Sequence, residues 1–288
     1  MEYKVEKTQL LMEFLLEKTN KKRNDIKNLL KYHNVSVDGH IETYYAYELQ
    51  RGQIVSINKV KQALPFDILY EDQEIIVIDK PCGLLSEQTA TEKKKTAYAL
   101  VKHYLSQKKE NIFLVHRLDQ YTSGVLLFVK NKKLYDELTH HWNEYVKVRG
   151  YIAIVEGKMK KNQGTIINYL AESKSQNVYI TSKEHGKKAI THYKVIKSCP
   201  AYSMLDIRLD TGRKNQIRVH LSSLHHSIVG DQKYGATSNP IKRLGLHAHV
   251  LEIVHPLTHR QMKFVSQTPD SFEKLFKKVS SKNENIKH

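Results

Sequence analysis

The segment that most restricts the fold is residues 115–129, VHRLDQYTSGVLLFV. Its last five residues are apolar without alternation, the pattern of a strand covered on both faces. The polar residues 120–124 read as a turn entering that strand, so Asp119 sits in a loop anchored by a rigid element, a common placement for catalytic groups. The same residues admit a plainer reading. An Asp followed by Thr122, Ser123 and Gly124 also makes turns through side-chain to backbone hydrogen bonds.

A chain of 288 residues with 40% hydrophobic content can hold one large domain, or a large and a small one. Its formal charge of +17 favours a polyanion, nucleic acid or an anionic membrane surface, over a neutral metabolite. No stretch approaches the roughly 18 apolar residues of a membrane span, and the first residues lack the apolar core of a signal peptide. A cytoplasmic protein without membrane attachment is expected. Cys82 and Cys199 are too few for a disulfide framework. Sixteen histidines include His247 and His249 and the pairs His140-His141 and His225-His226, but none has metal-ligand spacing, so no metal is expected. Glycine-rich phosphate cradles are absent as well, and no nucleotide cofactor is implied.

Along the chain, residues 10–16 and 26–30 have the periodicity of two short helices. On the second, Ile26, Leu29 and Leu30 share one face while Arg23, Lys27 and Lys31 form a basic stripe on another. That stripe is either a phosphate-binding surface or a solvated helix face. A strand at 35–37, a tight turn at Asp38-Gly39 and a returning strand at 53–57 follow. We expect a first domain over 1–60, a linker over 61–67, a catalytic domain over 68–275 and a basic, frayed tail over 276–288. Within the catalytic domain the patterns predict strands at 68–72 and 74–81, a polar loop at 87–95, helices at 97–105 and 133–145, and a strand beginning at Tyr151. From Gln216 onward polar and apolar residues alternate, which predicts a strand projecting Gln216, Arg218 and His220 from one face. An arginine between Ile217 and Val219 on a buried strand needs a carboxylate partner.

His116-Arg117-Leu118-Asp119, followed by Thr122-Ser123-Gly124 and an apolar strand, resembles the signature motif of the RluA-type pseudouridine synthases. Further matches occur in that family's order: Ile78-Asp79-Lys80-Pro81 with Gly83-Leu84, then Tyr151, then residues 209–220 (LDTGRKNQIRVH) and 230–235 (GDQKYG). Departures are Asp79 where Asn is usual, Arg149 where Lys is usual, and Asn215 where the family has His. The first domain resembles the small RNA-binding domain first seen in ribosomal small-subunit protein four.

The resemblance implies an α+β fold, a small helical and stranded RNA-binding domain followed by a catalytic domain with a central mixed, mainly antiparallel sheet. It also implies isomerisation of uridine to pseudouridine without a cofactor. By the same match Asp119 is the catalytic residue, Arg218 its basic partner and Tyr151 the active-site tyrosine. Asp119 could attack the sugar, attack the base, or remove a ribose proton. Arg218 is expected to favour the ionised carboxylate, and Tyr151 to stack on the uracil and help remove the proton from its carbon five. A tyrosine at a strand end is otherwise an ordinary boundary residue. Arg117 suits the gap left by an extruded uridine; Arg213, Gln216, Arg23, Lys27 and Lys31 are the other expected RNA contacts. The partner is RNA, with large-subunit rRNA expected. A tRNA target, or a non-catalytic RNA-binding or ribosome-assembly protein, is the alternative. A monomer is expected.

Overall fold

A computed structural model describes residues 1–31, 34–57, 64–106 and 110–284, and their side chains apart from residues 31 and 278–284. The chain forms two compact units, Met1–Pro65 and Phe66–His288. Of the expected linker, residues 61–63 lie outside the described residues.

The first unit runs β1 (Glu2–Lys4), β2 (Gln9–Leu10), α1 (Leu11–Thr19), α2 (Arg23–Lys31), β3 (Val35–Val37), β4 (His40–Ile41), β5 (Glu48–Leu49) and β6 (Ile54–Ile57). An antiparallel sheet in the order β1-β6-β3-β4 packs on the two helices. Phe14 and Leu15 of α1 and Ile26 and Leu30 of α2 are buried with Val35, Val37 and Val55. Four-residue spacing turns Ile26 and Leu30 inward and leaves Arg23 and Lys27 exposed. The Lys31 side chain is outside the described residues. Asp38 and Gly39 both have positive φ, 47° and 83°, as a two-residue hairpin turn requires. The Asp38 carboxylate accepts from the Ile54 amide at 2.8 Å and from Gln53 Nε2 at 3.0 Å, which locks this turn to β6.

The second unit contains β7 (Ile68–Glu71), β8 (Ile75–Lys80), α3 (Ala97–Ser106), β9 (Phe113–Leu114), β10 (Ser123–Val129), α4 (Lys132–His140), α5 (Trp142–Tyr145), β11 (Val146–Glu156), β12 (Gln163–Glu172), β13 (Val178–Thr181), β14 (Lys187–Ser198), β15 (Tyr202–Leu209), α6 (Gln216–Ser223), β16 (Leu246–Val254), β17 (Gln261–Val265) and α7 (Asp270–Glu284). One eleven-stranded sheet follows the order β13-β12-β14-β15-β11-β16-β10-β8-β7, with β17 on β16 and β9 on β10. Its ladders are antiparallel except β10 with β16. All seven residues of β10 are buried. Val125, Leu127 and Val129 pack with Leu134 and Leu138 of α4, and Leu126 and Phe128 with Ala97, Val101 and Leu105 of α3. This two-sided burial, about 1.5–3 kcal/mol per large apolar side chain, is what the unbroken apolar run requires.

Several local expectations are corrected. Residues 216–223 form helix α6, not a strand. Polar Gln216 and His220 are buried beside Ile217, Val219 and Leu221, because the polar side chains find internal hydrogen-bond partners, so their alternation did not track exposure. The strand carrying Tyr151 begins five residues earlier, at Val146, and the helix expected over 133–145 breaks at His141 into α4 and α5. The expected frayed tail is helical as far as Glu284. Phe272, Leu275 and Phe276, at helical spacing, are buried with Ile152, Ile154 and Met204. Finally, Asp79 does not cap a turn. It pairs with Val125 within the sheet, and its carboxylate accepts from Ser266 Oγ at 2.8 Å.

Candidate active site

A cleft of about 980 Å³ opens in the second unit, lined among others by Arg117, Asp119, Arg149, Tyr151, Arg213 and Arg218. Asp119 enters from the loop before β10, Arg149 and Tyr151 from β11, Arg213 from the loop after β15, and Arg218 from α6. Asp119 both makes a turn and faces the cleft. Its carbonyl accepts from the Thr122 amide at 3.1 Å, closing the turn, while its side chain lines the opening.

The loop is tied down from below. The ammonium of Lys80, wholly buried, donates to the carbonyls of Leu84 at 2.7 Å, Gln120 at 3.0 Å and Pro81 at 3.1 Å. Ser86 Oγ donates to the Leu118 carbonyl at 2.7 Å and accepts from the Leu118 amide at 3.1 Å. His116 Nε2 accepts from the Leu127 amide at 3.0 Å, so the ring is fixed to β10. Burial holds this imidazole down to about 4, with Arg149 adding to the effect, so at neutral pH it is uncharged and acts as an acceptor. Ser123 accepts from Arg243 Nη2 at 2.6 Å and bonds to His247 Nδ1 at 2.9 Å, and His247 Nε2 lies 3.2 Å from Ser266 Oγ. His247 thus belongs to a buried polar chain under the loop. Among the described residues no three His, Cys, Asp or Glu side chains group as a metal site.

Arg218 lies 3.5 Å from Asp119, Nη1 to Oδ2, within ion-pair reach. Its stronger partner is another carboxylate, which the sequence reading missed. Asp231 accepts from Arg218 Nε and from Nη2, both at 2.7 Å. Asn215 Oδ1 accepts from Nη1 at 2.9 Å, and the Tyr234 ring centre lies 4.9 Å from the guanidinium carbon. Asn215 has φ 53°, left-handed backbone that asparagine tolerates better than most residues. Asp231 lay within the matched residues 230–235, but nothing in its spacing pointed to an arginine thirteen residues earlier.

The electrostatics correct a further expectation. Burial pushes the Asp119 carboxyl above its ordinary value; Arg218 and Lys80 oppose the shift, and Asp231 adds to it. Arg218 was expected to win this contest and does not, because most of its charge is matched by Asp231. For Arg218 itself burial works against the charge, and the Asp231 carboxylate outweighs burial, so its value rises. Burial pushes the Tyr151 phenol up to about 12, against the pull of Arg149. It is therefore a neutral phenol near pH 7.

Of the other predicted RNA contacts, Arg117 is exposed at the cleft and pairs with Glu87. Arg213 is also exposed there, its Nε donating to the Lys188 carbonyl at 3.1 Å. Gln216 is not an RNA contact. It is 2% exposed, accepts from Thr211 Oγ1 at 2.8 Å and the Arg213 amide at 3.0 Å, and donates to the Ile190 carbonyl and Thr191 Oγ1, each at 2.9 Å. All its hydrogen-bonding capacity is used in holding the Arg213 loop to β14. Arg23 and Lys27 belong to the first unit and are exposed.

The family model described as RNA pseudouridylate synthase matches residues 74–223, more than half of the chain, and spans Asp119, Tyr151 and Arg218. The chain belongs to this family. It is 32% identical over 241 residues to the ribosomal large subunit pseudouridine synthase D of Zymomonas mobilis, covering 78% of this chain and 76% of that protein. To RNA pseudouridine synthase YjbO of Bacillus subtilis it is 33% identical over 225 residues, 77% of this chain and 80% of the relative. The D enzyme of Yersinia pestis aligns over 289 residues at 29% identity, covering 92% and 89%. In fold the chain is similar to human RNA pseudouridylate synthase domain containing 4, with a TM-score of 0.61 and 23% identity, over 74% of this chain and 92% of that one. As in the expected architecture, this pseudouridine synthase is an α+β protein built on a large mixed, mainly antiparallel sheet.

Proposed function

We propose that this pseudouridine synthase isomerises a uridine of large-subunit rRNA, with Asp119 as the catalytic carboxylate. The observation that carries the residue assignment is the meeting of Asp119, Arg218 and Tyr151 in one cleft ringed by Arg117, Arg149 and Arg213. In the reaction the bond from ribose to uracil nitrogen one breaks, a bond from ribose to carbon five forms, and the hydrogen of carbon five is replaced by one at nitrogen one. One carboxylate can serve as nucleophile or as base, and either role needs its ionised form. Arg218 keeps a cation beside it as charge develops. Tyr151 stacks on the uracil and excludes water. With its phenol pushed up to about 12 it is a poor base at neutral pH, which favours stacking over proton removal.

The target uridine must be extruded from paired RNA, at roughly a few kcal/mol, and the exposed Arg117 guanidinium is suited to occupy the space it leaves. Arg213, with Arg23 and Lys27 of an S4-like first unit, adds phosphate contacts that raise affinity without reading sequence. The large-subunit target is supported by the names of the relatives from Zymomonas mobilis and Yersinia pestis, and such a substrate places the enzyme in the cytoplasm. Every side chain of the site comes from one chain, which supports action as a monomer. Among the described residues no helix is long and apolar enough to cross a membrane. Mapping pseudouridines in cellular RNA with and without the protein tests the proposal. Loss of sites confined to large-subunit rRNA is expected; loss confined to tRNA would overturn the target, and no loss would overturn the activity in that cell.

A further inference from the structure

We propose that Asp231 is a positioning residue for the isomerisation, clamping the Arg218 guanidinium at two points and, by matching its charge, setting how strongly Arg218 acts on Asp119. This rests on the reading of Asp119 as the catalytic carboxylate.

Three neighbours fix the guanidinium. Asp231 takes Nε and Nη2 at 2.7 Å each, the paired geometry that gives arginine–carboxylate contacts their directionality. Asn215 takes Nη1 at 2.9 Å, and its own Nδ2 donates to the Tyr234 hydroxyl at 3.0 Å. The Tyr234 ring covers one face of the guanidinium. Asp231 is 2% exposed and is not among the residues lining the cleft. It cannot touch the reacting uridine and acts only through Arg218. Once these bonds are made, Nη1 is the one nitrogen of the fork directed towards Asp119.

The arrangement has a chemical consequence. A carboxylate in contact with an unmatched guanidinium is stabilised and becomes a weaker base and nucleophile. The charged or titratable groups that act on Asp119 are Arg218 of α6, Asp231, Lys80 at the end of β8, and Tyr151 of β11. Of these Asp231 alone is an anion at neutral pH, and it sits on the far side of Arg218. Removing its charge leaves Arg218 to act on Asp119 undivided.

The test is Asp231→Asn, which keeps shape and an acceptor but removes the charge. Single-turnover rate per folded molecule is measured against pH on total RNA from cells lacking the protein. The plateau rate should fall on the order of 10²-fold, the effect of a reacting group misplaced by about an ångström. RNA affinity should stay within about threefold, because the ground-state contacts are untouched. The acid limb should move to lower pH, as Arg218 now pulls Asp119 down. Asp231→Glu, which restores the charge but displaces it by a methylene, should return the limb to its wild-type place while the rate stays low. A folded Asp231→Asn enzyme with wild-type rate and limb would overturn the proposal. A rate loss with an unmoved limb would also overturn it, since it would mark structural support only. If Asp231→Asn does not fold, Asp231→Glu decides: a low rate with a wild-type limb supports the proposal, and a wild-type rate overturns it. Asp119→Asn, run alongside, separates the two readings. Activity there removes the premise, whereas a dead Asp119→Asn beside an unimpaired Asp231→Asn overturns only the role of Asp231.

Discussion

Gly124 and Ala248 approach so closely that a Cβ on Gly124 would stand 2.1 Å from the Ala248 carbonyl oxygen. They face each other across the parallel ladder of β10 and β16, and Gly124 has φ 114°, open to glycine but strained for other residues. Gly124→Ala should therefore break the joint beside the Asp119 loop. We expect a loss of roughly 3 kcal/mol or more, from backbone strain together with overpacking, read as a large fall in thermal midpoint. A midpoint within a degree or two of wild type would contradict this close approach.

Asp119→Asn should abolish isomerisation while RNA affinity stays within a few fold, since the amide keeps shape but cannot act as nucleophile or base. Turnover is read as pseudouridine formed in a single round, and affinity by filter binding. Near wild-type turnover would remove Asp119 from the chemistry.

Arg218→Met should remove most activity and cost on the order of 3–5 kcal/mol, because it strands Asp231, whose side chain is 1% exposed, without its counter-charge. Urea unfolding of the double variant Arg218→Met with Asp231→Asn should show less destabilisation than the sum of the singles. Additivity would mean that the two side chains do not interact.

Acid should destabilise the fold through its buried histidines. Burial holds His220 and His247 down to about 4, from 6.5. Below 6.5 the unfolded chain takes up protons that the folded chain refuses, so stability is intact above 6.5 and declines as pH falls towards 4. Each histidine contributes up to about 1.4 kcal/mol per pH unit in that window. Asp79 and Asp119, both raised by burial, work in the opposite sense, so the difference between variants is the clean measure. His220→Gln should flatten the slope of the urea midpoint against pH between 4 and 6.5; an unchanged slope would show that His220 titrates normally.

In the first unit, Arg23→Ala with Lys27→Ala should weaken RNA binding and flatten its dependence on log salt by about 0.7–0.9 for each phosphate no longer neutralised. Turnover at saturating RNA should hardly change, since such side chains bind ground and transition states alike. Unchanged affinity and salt slope would identify α2's exposed side as an ordinary solvated face.

What could be read from the sequence followed local physics. The apolar run of β10 announced its two-sided burial, the Asp38-Gly39 pair its hairpin, and the motif around Asp119 its place at the head of a core strand. Reading failed where polarity and exposure part company. Gln216 and His220 look like one polar face, yet Thr191 gives both a buried partner, so alternation in a helix passed for a strand. Lys274 and Lys277 suggested a frayed tail, although Phe272, Leu275 and Phe276 already carried the spacing of a docked helix. Asp231 could not be paired with Arg218 from spacing, because the loop from 224 to 230 has no regular period with which to project it back onto α6.

The position of β16 bears on how the enzyme comes into being. This strand lies between β11 and β10, so the half-sheet bearing Asp119 and the half-sheet bearing Tyr151 meet only through a segment near the end of the chain. Its partners are remote in sequence, a high contact order that slows folding. On the ribosome the chain emerges amino-terminal end first, and Asp119 is synthesised more than a hundred residues before the strand that seats it. A nascent chain that stops short of residue 246 has both banks of the cleft but no keystone. Catalytic competence therefore arrives late and all at once, so a chain cut short cannot hold RNA in a half-built site and modify it.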